Sequence, residues 1–373
     1  MIMKRKIRNM LTGLSIVLLL IAATVALVLQ HPAFGRLPQG ERLRRIELSP
    51  NYRDGAFQNL HPTPRIVSRK GFVATMWEFL FRKNSRVEPS VPLPTVKTDL
   101  KKLPPEADAL VWFGHSSYLL QVGGMRLLVD PVLTSRWPMS WMFRPFRGTD
   151  IYTPDDMPAV DVLVLTHDHW DHLDYHTLRA LKDRIGKVVC GLGVGAHLER
   201  WGFDPARIVE LDWNEQASLG EGFVMYCLPA RHFSGRGLKS NRTLWASFLL
   251  NAPGRRIYLG GDSGYDTHFA QIGSRFAPID LAVLENGQYN TDWRYIHTLP
   301  EQLVQVIGDL HPARVMTVHN SKYALSRHPW DEPLEAIYLA ARRDSLPLLT
   351  PRIGEVVWLD DPVPNTAPWW RNP

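Results

Sequence analysis

The segment Thr166-His167-Asp168-His169-Trp170-Asp171-His172 packs imidazoles and carboxylates into one short stretch. It directly follows the apolar run Asp161-Val162-Leu163-Val164-Leu165, so a strand end leads into a tight loop that can aim several side chains into one cleft. His167 and His169, two apart, can reach one ion, while Asp171 and His172 can reach another. Imidazole and carboxylate suit Zn²⁺, and no thiolate is needed. Three further polar residues each follow an apolar, strand-like run. His232 ends Cys227-Leu228-Pro229-Ala230-Arg231-His232, and His319 follows Val315-Met316-Thr317-Val318. Asp262 follows Ile257-Tyr258-Leu259-Gly260-Gly261, where the glycines let the backbone approach closely. Alone, each would pass for an ordinary polar residue. Together with the loop they form a site assembled from distant parts of the chain. The two cysteines, Cys190 and Cys227, lack zinc-site spacing and read as buried thiols.

The elements that must carry these residues are legible in the pattern. Ala109 to Phe113, Ser117 to Val122 and Arg126 to Val129 read as short strands, with Gly123-Gly124 as a hairpin turn. Val160 to Leu165 is a fourth strand. Beyond the loop, strands at 187–190, 207–211, 223–228, 243–250, 257–259, 281–285 and 314–318 alternate with helices. Those helices are expected near 195–201, 266–276, 301–310 and 332–343. Hairpins first and alternation later imply an α/β arrangement of two packed sheets with helices outside.

Composition is that of a globular protein, with 45% hydrophobic and 21% charged residues. The net charge of +6 suits an anionic partner such as a phospholipid. The basic residues are scattered, without a stripe interleaved with aromatics, so a nucleic-acid partner is not expected. At the N-terminus, Lys4, Arg5, Lys6 and Arg8 precede an uncharged run from Leu11 to Leu29. As a helix that run spans about 28 Å, enough to cross a hydrocarbon core. Residues 1–30 therefore read as a membrane anchor, with a signal peptide cleaved near Thr24-Val25-Ala26 as the alternative. A short basic tail normally stays inside, which puts the catalytic part outside the cytoplasm. Residues 31–106, rich in Pro, Arg and Asn, read as an irregular extension packed on the domain, except for an apolar helix over 72–81. Residues 107–373 read as the domain itself.

The order HxHxDH, a later His, an Asp after Gly-Gly and a final His resembles the metallo-β-lactamase superfamily of dinuclear hydrolases, from Ala109 to Leu359. That resemblance implies a four-layer αββα sandwich behind the N-terminal transmembrane helix. It also implies two Zn²⁺ per chain, with Mn²⁺ or Fe²⁺ as substitutes. His167, His169 and His232 would hold the first metal, Asp171, His172 and His319 the second, and Asp262 would bridge them. Within the superfamily, the chain is similar to the N-acylphosphatidylethanolamine-hydrolysing phospholipase D branch and its bacterial relatives. Trp112-Phe113-Gly114-His115-Ser116-Ser117, Asp130-Pro131, His172-Leu173-Asp174, Tyr289, Trp293 and His297-Thr298-Leu299-Pro300-Glu301 carry this likeness.

The narrower resemblance implies a phosphodiesterase acting on N-acylphosphatidylethanolamine-like lipids through a metal-bridging hydroxide. Asp262 would fix that water and accept its proton. His297 would bind the substrate or its leaving group, with Tyr289 and Trp293 also contacting the substrate. His115 and Asp130 would orient ligand imidazoles. One departure stands out: Glu285-Asn286-Gly287-Gln288 occupies the place of a Pro-Ile-Gly-Ala type of sequence. Two other readings stay open. A lactone or other carbonyl hydrolase can use the same centre, and a zinc-stabilised envelope scaffold would not need catalysis. Oligomeric state is not legible.

Overall fold

The run Val160–Leu165 presents apolar side chains on both faces, and such a strand has to be covered on both sides. The computed structural model, which describes residues 2–81, 86–362 and 366–373, meets that need with two sheets face to face and helices outside. From the N-terminus, helix α1 (Ile2–Leu29) is followed by α2 (Gly40–Glu47), the hairpin β1 (Tyr52–Arg53) and β2 (Ala56–Phe57), and α3 (Gly71–Phe81). Next come β3 (Ala109–Trp112), β4 (Tyr118–Val122), β5 (Met125–Val129), β6 (Val160–Leu165), α4 (Tyr175–Leu181), β7 (Ile185–Gly191), α5 (Gly195–Arg200) and β8 (Ile208–Leu211). The second half supplies β9 (Gln216–Gly220), β10 (Phe223–Leu228), β11 (Ser247–Ala252), β12 (Arg255–Leu259), α6 (His268–Phe276) and β13 (Leu281–Glu285). It ends with α7 (Pro300–Leu310), β14 (Val315–Val318), α8 (Glu332–Asp344), β15 (Leu348–Leu349) and β16 (Val356–Trp358).

The sheets have the spatial orders β16-β3-β4-β5-β6-β7-β8 and β15-β14-β13-β12-β11-β10-β9. Alternation along each strand divides the core. Val162 and Val164 point between the sheets, where they meet Trp112, Met225, Phe248, Leu259 and Val283. Leu163 and Leu165 point outward against Leu178, Leu181 and Leu198 of α4 and α5. On the other sheet, Tyr258, Ala282 and Leu284 face Phe269, Ile272, Leu303 and Ile337 of α6, α7 and α8. The expected αββα sandwich is what forms.

Strand direction explains why one edge carries the chemistry. β12, β13 and β14 are parallel neighbours, so their C-terminal ends share an edge. β10 is antiparallel to β11, which is antiparallel to β12, so β10 ends on that edge too. Open sheets bind ligands beyond the carboxyl ends of parallel strands.

The extension is more regular than its composition implies, holding α2, the hairpin and α3. It is stitched to the sandwich. Arg42 pairs with Glu199 and Glu210, both at 2.6 Å. Asn59 brackets the backbone of His232, donating to its carbonyl at 2.8 Å and accepting from its N–H at 3.0 Å. Helix α1 is exposed from Met3 to Leu27, and an 18-residue window within Met3–Leu29 has a mean hydropathy of 2.6, long and apolar enough to cross a membrane.

Candidate metal centre

The loop after β6 is held by Asp130, which follows β5. Thr166 donates to that carboxylate through N–H at 2.9 Å and Oγ1 at 2.6 Å, and His172 Nδ1 lies 2.8 Å from it. From the opposite sheet, His319 N–H donates to the His115 carbonyl, and His115 N–H donates to the Asn320 carbonyl, both at 2.9 Å. His115, Asp130 and His319 all have positive φ, of 51°, 40° and 68°. Non-glycine residues tolerate this region at a cost of about 1–3 kcal/mol each, typically where function demands it. Gly261 has φ +60, and a Cβ there would sit 2.8 Å from Thr166 Cβ. Only glycine lets the strand that delivers Asp262 approach the loop so closely.

The seven residues expected from the sequence come together. His169 Nδ1 lies 2.9 Å from His167 Nε2 and 3.1 Å from His232 Nε2. Asp171 Oδ2 lies 3.7 Å from His172 Nε2 and 3.5 Å from His319 Nε2. Asp262 stands between the two groups, with Oδ1 3.2 Å from His172 Nε2 and Oδ2 3.3 Å from His319 Nε2. The oxygen facing His319 is also 3.9 Å from His167 and 3.7 Å from His232.

These donors fit metal ions. His172 Nε2, His319 Nε2 and Asp262 Oδ1 are buried and have no hydrogen-bond partner among the described residues. Each orphan costs about 1–3 kcal/mol, which a cation among them would repay. In two of the rings the outward-facing nitrogen is already engaged, His232 Nδ1 donating to the Ile296 carbonyl at 2.8 Å and His172 Nδ1 facing Asp130. This fixes the tautomers and leaves Nε2 for a ligand bond. Burial pushes His167 and His232 well below their ordinary pKa and His169 down to about 4, keeping the rings neutral as metal ligation requires. Burial works against the charge on Asp262, but His172 and His319 outweigh it and hold that carboxyl well below the usual range.

His115 joins the second group, with Nε2 2.9 Å from Asp171 Oδ2. Glu285, at the end of β13, was not singled out in the sequence as a site residue. Its carboxylate takes His297 Nδ1 at 2.9 Å and the Thr298 N–H at 2.6 Å, and it forms a third acidic–imidazole grouping with Asp262 and His319. Burial lowers the His297 pKa, but Glu285 outweighs it and the net shift is upward. The signal was available, since Glu285 is another polar residue closing an apolar strand. Arg236 was missed as well. It is buried and donates to the carbonyls of Asp168, at 2.8 Å, and Leu173, at 2.7 Å, at either end of the metal loop.

A cavity of about 700 Å³ opens onto the cluster, lined by His169, Asp171, His232, Asp262, His297 and His319 with Met142, Phe143, Trp170, Phe233, Trp293 and Leu325. Trp293 and His297 thus line the cavity. Tyr289 does not. Its ring stacks on His328 at 4.6 Å and its hydroxyl donates to Glu332 at 3.0 Å, so α8 draws it away from the cavity.

The chain is similar to several known proteins. An uncharacterized protein of Mycobacterium tuberculosis is 41% identical over 334 residues, covering 87% of this chain and 88% of its own length. The N-acyl-phosphatidylethanolamine-hydrolyzing phospholipase D 1 of Caenorhabditis elegans is 30% identical over 233 residues, 57% of this chain and 64% of that protein. Among solved structures, Igni18, a metallo hydrolase of Ignicoccus hospitalis, superposes with a TM-score of 0.51 at 21% identity, over 67% of this chain and 97% of that one. The profile of the beta-lactamase superfamily domain matches residues 125–320. That segment begins at β5 and ends just past His319, enclosing the whole metal loop, and the chain accordingly belongs to the beta-lactamase superfamily of metallo-hydrolases.

Proposed function

We propose that the protein is a zinc-dependent phosphodiesterase of phospholipase D type that acts on N-acylphosphatidylethanolamine-like phospholipids at a membrane. His167, His169 and His232 would hold one zinc ion, Asp171, His172 and His319 the other, and Asp262 would bridge them. Such a pair activates water near neutral pH and polarises a phosphoryl oxygen. Asp262 orients the attacking water and takes its proton. His297, with Nδ1 engaged by Glu285, has Nε2 free to give a proton to the departing alcohol oxygen as the P–O bond breaks. The products are a phosphomonoester lipid and an N-acylated alcohol.

The observation that carries this reading is the cavity. Its walls beyond the ligands are mostly Met, Phe, Trp, Ile and Leu side chains, with Arg65, Gln288 and His297 as the polar exceptions, and its volume is about 700 Å³. Those features support an acyl-bearing substrate over a small polar lactone. The root of α1 supports a lipid setting. His31 meets Trp137 with ring centroids 4.6 Å apart, and Phe34 meets Trp170, in the cavity wall, at 5.0 Å. Trp137 and Trp141, beside the wall residues Met139 and Met142, are 51% and 67% exposed, as aromatic side chains at a bilayer interface would be. We take α1 as the anchor, with the catalytic part outside the cytoplasm.

The test uses the full chain in detergent. Bound metal is measured by elemental analysis, and hydrolysis is followed on bis-p-nitrophenyl phosphate and on N-acylated and plain phosphatidylethanolamine, beside Asp262→Ala. About two zinc ions per chain are expected, with release of N-acylethanolamine that the variant loses. Full zinc occupancy without phosphodiester cleavage would instead favour the carbonyl-hydrolase reading.

A further inference from the structure

Arg65 belongs to the extension, far in sequence from every residue of the metal cluster, yet its side chain lines the same cavity as His169, Asp262 and His297. Among the described residues lining that cavity, it is the one Lys or Arg. Its guanidinium lies 4.3 Å over the Phe233 ring, and that ring lies 4.4 Å from the His169 ring. The cation is therefore one aromatic ring away from the metal loop.

What holds Arg65 is uncharged. Nη1 donates to Ser240 Oγ at 3.1 Å and Nη2 to Asn241 Oδ1 at 2.9 Å. Asn241 is itself fixed, its Nδ2 donating to the Phe57 carbonyl at 3.3 Å and its N–H to the Ser234 carbonyl at 3.0 Å. Several other partly buried arginines here sit against carboxylates, although the side chains of Arg126, Arg242 and Arg256 bond uncharged groups. Arg42 faces Glu199 and Glu210, Arg231 faces Asp266, and Arg327 faces Glu78 and Asp292. No carboxylate among the described residues pairs with Arg65, and burial alone draws its pKa downward.

A guanidinium remains charged in such a setting, and burying a charge without a counter-charge is costly. Two neutral acceptors hold the fork in place and leave further N–H donors for a ligand. The fork matches phosphate and carboxylate oxygens in pairs. We propose that Arg65 is the anion-recognition residue of the cavity, taking a negatively charged phosphate or carboxylate oxygen of the substrate while its uncharged part lies along the apolar walls. This rests on the cavity being the substrate site, as argued above, but not on the substrate being a phospholipid.

The test is calorimetric binding of hexyl phosphate, hexanoate and hexanol to the metal-loaded full chain, as wild type, Arg65→Gln and Arg65→Lys. Arg65→Gln should weaken hexyl phosphate about tenfold to a hundredfold and leave hexanol within about twofold. Arg65→Lys should recover part of the loss. A matching loss for hexanoate identifies a general anion site, and a loss confined to hexyl phosphate identifies a phosphate site. Hexyl phosphate binding to Arg65→Gln as tightly as to wild type overturns the proposal. So does an equal loss of hexanol that lysine does not rescue, because Arg65 would then only shape the wall. Arg65-dependent binding without any phosphodiester turnover would refute the phospholipase reading and leave this one standing.

Discussion

Replacing Arg236 by methionine removes the cation that ties the metal loop to the root of α1. The guanidinium is only 4% exposed, donates to the carbonyls of Asp168 and Leu173, and reaches the Ala33 carbonyl at 3.0 and 2.9 Å. It also lies 4.0 Å over the Trp170 ring. Methionine keeps an apolar stem of similar length, so the contact with Trp170 survives in part. The carbonyls of Ala33, Asp168 and Leu173 lose charge-assisted partners. At about 1.5–3 kcal/mol for each such bond, the gross loss is about 5–9 kcal/mol. Removing a buried cation returns part of this, and burial does weigh on Arg236, drawing its pKa down to about 10. A net cost of about 3 kcal/mol in ordering the loop follows. Because the loop must be ordered to hold metal, the cost should appear as zinc affinity lowered about a hundredfold. Chelator competition on the full chain measures that affinity. Arg236 does not line the cavity, so saturating zinc should restore most of the turnover. A folded Arg236→Met with wild-type zinc affinity would refute the reasoning.

Glu285→Gln should lower kcat about tenfold on a lipid with a poor alcohol leaving group and much less on bis-p-nitrophenyl phosphate, because His297 loses its carboxylate partner; equal losses on both substrates would count against proton donation. Trp141→Ser should slow hydrolysis of vesicle-borne lipid several-fold and leave soluble phosphodiester unchanged, a comparison of two assays on one preparation. Lys322 is fully buried, donates to the Phe113 and Val132 carbonyls at 3.2 and 3.1 Å, and is pulled by burial to a pKa of about 8. The unfolded chain then binds more protons between pH 8 and about 10.4, so unfolding free energy relative to Lys322→Met should rise by about 3 kcal/mol across that window. A flat difference in denaturant titrations would show the ammonium to be better solvated than its burial implies.

Much of this was legible in the sequence because the governing signals are local. The apolar runs that became β6, β10 and β13 end in the structure where their patterns end, and each delivers a polar residue beyond the last apolar one. The seven metal-cluster residues follow from that rule together with the His-rich loop. Other elements were hidden for physical reasons. β9, Gln216–Gly220, is a sheet edge with alternating exposed positions, so few of its residues needed to be apolar. α4, Tyr175–Leu181, is only two turns long, and its cap at Asp174 adjoins the metal motif, which drew the reading toward chemistry. Tyr289 was expected on substrate from the family resemblance, which carries no side-chain direction; Glu332, in a helix 43 residues on, decides where its hydroxyl points. Arg65 and Arg236 were missed because their roles arise only from long-range packing, whereas Glu285 closes an apolar strand as the cluster residues do.

The positions of these residues divide the labour of the molecule. All seven residues of the metal cluster fall within the 125–320 segment that defines the superfamily domain. Arg65, the one Lys or Arg among the described residues lining the cavity, and its neighbour Ile66 come from the extension, as does Asn59, which fixes the backbone of His232. A sandwich that presents ligands at strand ends can keep its metal chemistry while the segment laid over the cavity changes. If Arg65 recognises the substrate as proposed, selectivity is set by residues outside the family domain, acting on side chains within it. Relatives that match through 125–320 but differ around Arg65 should load metal alike and part company in which charged groups their substrates carry.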